Sequence, residues 1–515
     1  VPYARAGLVE APDGAVWAST RDGLIRVHGR GDAQEHAVVA IKGYEKQTLR
    51  PLMFDRLGNL WAAPLGGGGV LRVPARELTQ DQVEVLSGDF FSSADKLSSR
   101  SVFAMFEDRE GNVWATSAEG ISRFSRGNVV RDLHVCPAPA AMAAGDGGTL
   151  WIGCRAESAT RLLRDGFPDM RLPSSAFTAA FRDHEGGVWF AGQKSLGHLQ
   201  DGRVEELALP PEVGGVPIQA LLRDRDGGIW LSGTLRGTFR LSGGAWRRNG
   251  GLEGLPSEPA TSGAVHPDGT VWLGYRGSRV ARIRGRDVRM LGPEQGLNVG
   301  TVLALTVRGG ALWVGGDGGI LRFEDGRFEK VLNTVATSFR GVSGIVATHS
   351  GDLWLNGTHG ISRIPAAQLA ANGRNGSTTV TADTFDYRDG VPGVAIVYDT
   401  LPSAVEGTDG RIWFATTAGT VSINAQAIVG NAVPPPVTIW SIASDQQKYR
   451  NALEEIRIPV GVTKLKFEYS AGTLTVPNAC SSSTGSPGWK PNGRTAATSA
   501  KRPTRTSGRT AIDSR

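Results

Sequence analysis

Ten of the thirteen tryptophans fall in one recurring phrase, in which an acidic turn, one or two glycines and an apolar residue lead into Trp. The full form is Asp108-Arg-Glu-Gly-Asn-Val-Trp114, Asp183-His-Glu-Gly-Gly-Val-Trp189 and Asp224-Arg-Asp-Gly-Gly-Ile-Trp230, and a shorter form is Asp268-Gly-Thr-Val-Trp272 and Asp409-Gly-Arg-Ile-Trp413. The marked residues are Trp17, Trp61, Trp114, Trp151, Trp189, Trp230, Trp272, Trp313, Trp354 and Trp413, mostly about 41 residues apart. That period is the length of one four-stranded propeller blade. Glycine, 70 of 515 residues, supplies the tight turns such a unit needs, while a hydrophobic content of 40% leaves enough apolar side chain for a core.

Each unit reads as strands joined by turns. Val102-Phe-Ala-Met-Phe106 precedes the Asp turn and Val113-Trp-Ala-Thr116 follows it, a hairpin in which Asp bonds the turn backbone and Gly takes positive φ. A second Gly-rich turn, as at Arg21-Asp-Gly23, Ala118-Glu-Gly120, Asp317-Gly-Gly319 and Thr358-His-Gly360, leads to a third strand, and a weaker fourth completes the unit. The fold class expected is therefore all-β: β-propeller blades, followed by an incomplete β-sandwich. Rings hold four to eight blades. Ten repeats thus divide into a complete seven-bladed propeller over residues 136–430 and, over 1–135, the last three blades of an N-terminal propeller. About four blades are then expected ahead of Val1, because three blades alone leave raw sheet edges.

Val433-Pro-Pro-Pro436 is a stiff linker, and residues 431–479 are expected to hold it together with the start of a sandwich built from Val437–Ile442, Glu455–Pro459 and Lys464–Tyr469. Residues 480–515 are poor in apolar side chains and are expected to be disordered. They are also expected to be frameshifted translation, since a shifted frame permits codons that continue the sandwich pattern. That segment holds seven basic residues and one acid, Asp513, so the rest of the chain carries 49 charges of each sign, and the overall +6 is no footprint for nucleic acid. No run of 18 uncharged apolar residues occurs, and the chain opens at Val1 with neither Met nor a charged-then-apolar leader, so the expectation is that a signal peptide has been removed or that the start of a longer protein is missing.

The phrase and its spacing resemble the two-component regulator propeller (Reg_prop) repeat over about residues 5–430. Leu465-Lys-Phe-Glu-Tyr-Ser-Ala471 and Pro477 resemble the opening of the Y_Y_Y sandwich domain that follows such propellers. The resemblance implies the periplasmic sensor region of a membrane-anchored protein, homodimeric through the Y_Y_Y-like domain, whose output is a histidine kinase, hybrid kinase, diguanylate cyclase or regulator. Signal peptide and transmembrane helix would lie outside this chain. The chain itself shows no catalytic motif, needs no cofactor, and has no His spacing suited to a metal.

A channel face is the expected binding site. The turns between second and third strands share one face of the ring with the interblade loops, and there they present Arg155, Lys194, Arg236, Tyr275, Arg276, Asp317 and His359. The cations among them suit a small extracellular anionic ligand, such as an acidic saccharide. The ten tryptophans are expected to pack between blades, the turn aspartates to cap turns rather than bind calcium, and Cys136 and Cys154 are a disulfide candidate that spacing alone cannot decide. Two other functions are weighed: a streptogramin-lyase-like enzyme, for which only His359 has a suitable place, and a protein-binding scaffold.

Overall fold

The computed structural model describes residues 7–428 except 21–22, 29–34, 45–46, 79–84, 87, 92–96, 98, 100, 125–126, 133–138, 155–159, 163–167, 172–176, 335–338, 370–376, 388 and 399–401; beyond 428 it describes only six strands, as backbone. The chain forms two compact units, residues 127–428 and residues 1–126 with 429–515.

The unit 127–428 contains seven sheets. Their inner strands are Ala141–Ala144, Phe177–Arg182, Ile218–Arg223, Ser262–Val265, Val302–Arg308, Gly344–Ala347 and Ala404–Glu406. Each lies beside the next, and the last lies beside the first, so the sheets close into a seven-bladed ring. The seventh sheet is assembled from both ends of the unit. Its inner three strands are Ala404–Glu406, Arg411–Thr416 and Gly419–Asn424, and its outer strand is Val129–Asp132, with Val129 opposite Ile423. The boundary expected at residue 136 therefore moves to Gly127. A short strand ahead of the first blade carries no repeat signature, yet it covers an edge that would otherwise be open.

The recurring aspartate fixes its turn and its tryptophan together. Asp55, Asp108, Asp183 and Asp224 each accept, through Oδ2, the indole N–H of Trp61, Trp114, Trp189 and Trp230 at 2.8–2.9 Å. Oδ1 of the same residues accepts backbone N–H groups two and four residues on. Opposite Trp on the third strand stands an Arg in eight of the ten repeats, as in Trp230↔Arg240, with Ser422 in one and His198 in another. Arg240 lies 5.6 Å from the Trp230 ring, and His198 stacks on Trp189 at 4.0 Å. Gly187 and Gly228 make room for them, since a Cβ at either would fall on His198 or Arg240.

Blades are joined by one repeated contact. Trp of one blade packs on the blade that follows: Trp151 on Phe190, Trp272 on Phe323, Trp354 on Phe414, and Trp413 with Met142, Leu150 and Ile152 of the first blade. Hydroxyls add to the joints: Thr178 Oγ1 accepts the Ile218 N–H, and Asn356 donates to Ser403 and to the Ala415 carbonyl.

In the other unit three sheets begin with Leu8–Glu10, Leu49–Phe54 and Val102–Glu107. Trp17 packs on Phe54 and Trp61 on Phe124, the same contact again. Past residue 436, Val437–Ser444 pairs with Lys448–Arg450 and with Lys464–Ala471. The stretch 480–515, expected to be disordered, contains the strands Ser481–Pro487, Ala497–Pro503 and Gly508–Asp513, and the last pairs with Lys464–Ala471. Its Ser and Thr tolerate extended backbone, and the free edge of Lys464–Ala471 offers a ladder partner.

Candidate functional site

Antiparallel blades put all turns between first and second strands at one end of the ring, and turns between second and third strands at the other. At that second end the interblade loops interlock with the turns through backbone hydrogen bonds. Gly215 donates to Gln193, Gly318 to Val299, Thr358 to Arg340 and Thr417 to Val394, each at 2.9 Å. The two sets of loops thus form one surface.

On it, Lys194, Arg236 and Arg276 are exposed at the turns of the second, third and fourth blades, and among the described residues their side chains have no hydrogen bond or ion pair. His359, at the sixth, borders a recess of about 20 Å³ with Phe339, Arg340, Ser362 and Thr384, room for about one water. Asp317 is already engaged: its Oδ2 accepts the Thr301 N–H at 2.7 Å and its carbonyl accepts Gly341 N–H, which ties two interblade loops to the fifth blade. Tyr275 does not reach the surface. It is 0% exposed, and its ring joins Leu222, Trp230 and Leu273 in the core between the third and fourth blades. Burial, with the nearby Glu258 charge, raises its hydroxyl pKa, and the hydroxyl has no partner. Arg155 and Cys136 lie outside the described residues, while Cys154 is disulfide-bonded.

The same surface holds residues that the repeat pattern does not mark. Leu235, beside Arg236, is 85% exposed at φ +63°, a left-handed conformation unfavourable for a residue with a Cβ. Tyr398, in the loop from the sixth to the seventh blade, is 64% exposed. Glu212, Glu253 and Glu294 are exposed in the interblade loops, so acids accompany the cations. These loops vary in length and follow no repeated phrase, so the repeat pattern does not pick out their residues.

At the opposite end the charges are used between blades. Arg182 bonds Asp146 at 2.6 Å, and Arg223 bonds Asp183 at 3.0 Å and Glu185 at 2.7 Å, each reaching back to the preceding blade. Burial opposes ionisation of Asp183, but the N–H groups of Trp189, Arg223, Gly187 and Glu185 outweigh it and hold the carboxyl low. Among the described residues no group of three or more His, Cys, Asp or Glu is placed to hold a metal. Nor, among the described residues, is any helix long and apolar enough to cross a membrane.

No protein-family model matches the chain, and no curated protein does. Among solved structures it is similar to the extracellular domain of a hybrid two component system from B. thetaiotaomicron, with a TM-score of 0.65 and 15% identity over 90% of this chain and 63% of that one. This chain therefore spans less than two thirds of that domain. A second such domain from B. thetaiotaomicron matches at a TM-score of 0.46, with 15% identity over 91% of this chain and 67% of that one. Virginiamycin B lyase from Staphylococcus aureus gives a TM-score of 0.43, with 17% identity over 57% of this chain and 97% of the lyase. At these identities the likeness to the first is one of fold, and the other two carry no argument.

Proposed function

We propose that the chain is the ligand-sensing, extracytoplasmic region of a two-component-type signalling protein, and that it binds rather than transforms its ligand. The observation that carries the reading is the set of three unpartnered cations, Lys194, Arg236 and Arg276, at corresponding turns of successive blades on one surface of a closed ring. Cations without internal partners are available to an anion, and Arg can hold a carboxylate through two parallel bonds. The repeat's resemblance to sensor propellers and the fold of the B. thetaiotaomicron domain support the same reading. The ligand class is a small anionic molecule such as an acidic saccharide, for which exposed Tyr398 adds a flat stacking surface. The parent protein is periplasmic in this region, anchored in the inner membrane, and paired through its Y_Y_Y-like domain.

The test is calorimetric titration of the chain with oligogalacturonate and, in parallel, with a neutral gluco-oligosaccharide. Binding of the acidic sugar alone, weakened about tenfold or more in each of Arg236→Ala and Arg276→Ala, is the expected result. Equal binding of both sugars, or acidic-sugar binding unchanged in both variants, would remove this site. If the acidic sugar does not bind at all, the proposed ligand class fails.

A further inference from the structure

Among the described residues, five that carry a Cβ take positive φ: Asp201, Leu235, Asn249, Ser278 and Asp325. Asp and Asn visit that region readily, because their short polar side chains bond locally. Ser278 is compensated by its contacts: it is 7% exposed, and its Oγ accepts the N–H groups of Val299 and Gly300 at 3.1 and 2.9 Å. Leu235 has neither compensation. It joins neither of the apolar clusters that flank its blade, and at 85% it is more exposed than any other large apolar side chain among the described residues.

The next blade shows what this position asks for. Gly233 pairs with Gly237 and Tyr275 with Arg279, so both turns hold three residues, and Leu235 stands where Gly277 stands at φ +70°. Glycine adopts that conformation without a steric penalty. The turn that carries Leu235 is also tied down. Thr234 donates to the Pro217 carbonyl through its N–H at 3.0 Å and its Oγ1 at 3.1 Å, and the Arg236 N–H donates to Gly233 at 2.9 Å. The third blade thus holds an apolar side chain out into solvent, in a fixed place and against its backbone preference. Beside it is the exposed Arg236, and Arg276 lies in the matching turn of the fourth blade. Strained residues of this kind cluster at ligand sites, and a ligand that covered Leu235 would remove from water apolar area that the folded chain leaves there.

We propose that Leu235 is a specificity-determining residue of this surface, selecting an anion that carries an apolar group next to its charge, such as an O-acylated acidic saccharide, over the bare acid. The inference rests on the sensing surface proposed above. Arg236 and Arg276 take the charge, and the Leu235 side chain takes the acyl group.

The test is calorimetric titration of the full chain with oligogalacturonate and with the same oligomer O-acetylated. The acetylated form should bind the wild-type chain about fourfold tighter, the effect of burying about one methyl group. Leu235→Gly and Leu235→Asn, both compatible with left-handed backbone, should bring the two affinities level. Leu235→Met should keep the preference, and Arg236→Ala should weaken both sugars while keeping it. In urea, Leu235→Gly and Leu235→Asn should be no less stable than the wild-type chain, since each relieves the strained position. No preference in the wild-type chain, or a preference that survives both substitutions, overturns this inference and leaves the sensing surface standing. A lower urea midpoint in both variants also overturns it, by giving Leu235 a structural role. If neither sugar binds the wild-type chain, the proposed ligand class fails and this inference falls with it.

Discussion

Asp224, 4% exposed, accepts hydrogen bonds from the N–H groups of Asp226, Gly228 and Trp230 and from Arg240 Nε at 2.7–3.1 Å. Asp224→Ala strands all four donors, so a loss of about 3 kcal/mol in urea unfolding of the ring is expected. The partner's worth can be read from blades that lack it. Six residues before Trp272, Trp354 and Trp413 stand His266, Thr348 and Gly407, and the indole N–H of each of these tryptophans is buried without an acceptor. Trp354→Phe should therefore cost clearly less than Trp230→Phe in the same urea series. Equal losses would show that the Asp bond contributes nothing beyond ring packing. Acidification tests the same device. Asp108 and Asp183 are held below the ordinary carboxylate range by their hydrogen bonds, which outweigh the raising effect of burial. Asp268 lacks the Trp bond, but against the raising effect of burial its bonds from Thr270 and from His266, with the His266 charge, hold it at about 2. Folded values below unfolded ones mean that this stability is complete above about pH 4 and fades as pH falls through the folded values. The urea midpoint should stay level from about pH 7 to 4 and then drop, and Asp183→Asn should flatten the drop. The aspartate and tryptophan were legible as a phrase because both lie within seven residues. Tyr275 was misread as a surface residue because it ends a strand at a turn; its ring turns inward to a neighbouring blade, which the local pattern does not show.

Strands belonging to one blade could be read from the chain because their partners are adjacent and glycines mark the turns that join them. Strands that cross between blades could not. Val129–Asp132 pairs with a strand almost at the other end of the ring, and Ser377–Val380 pairs with the blade before its own. The helix that launches the latter does have a signature, Arg followed by an apolar residue, Pro-Ala and a later Leu, visible at 72–78 and 363–369 once the two are aligned. The closing strand is the element on which ring integrity should depend most. Val129 packs with the core around Phe414 and Val421, whereas Val130, on the other face, is 45% exposed. Val129→Asp should lower ring stability by about 2–3 kcal/mol, through an unpaired charge at an apolar joint, and should speed proteolysis around residues 125–140. Val130→Asp should do neither. If both substitutions behave alike, the strand does not close the ring through its inward face.

At the scale of the molecule, the two units differ in how completely their sheets are matched. In the ring every repeat Trp lies against a following blade and the last strand is borrowed from the first residues of the unit, so no sheet keeps both a bare face and a bare edge. The three-sheet unit keeps the open faces of Trp114 and Ala18. Each buries its own apolar clusters, with Trp17, Leu24, Ile41 and Leu60 in one and the seven blade joints in the other, and separate cores permit separate unfolding. Scanning calorimetry of the chain should therefore show two transitions, the lower from the unit with unmatched faces. The assignment can be crossed. Asp108→Asn, in the third sheet of that unit, should lower only the first transition by a few degrees, and Asp224→Asn should lower only the second. The substitutions remove the same kind of Trp-bonded turn carboxylate, so any difference between them reports where they stand rather than what they are. A single transition moved by both would mean that the open unit has no cooperative stability apart from the ring, and that the faces of Trp114 and Ala18 do not weaken it separately.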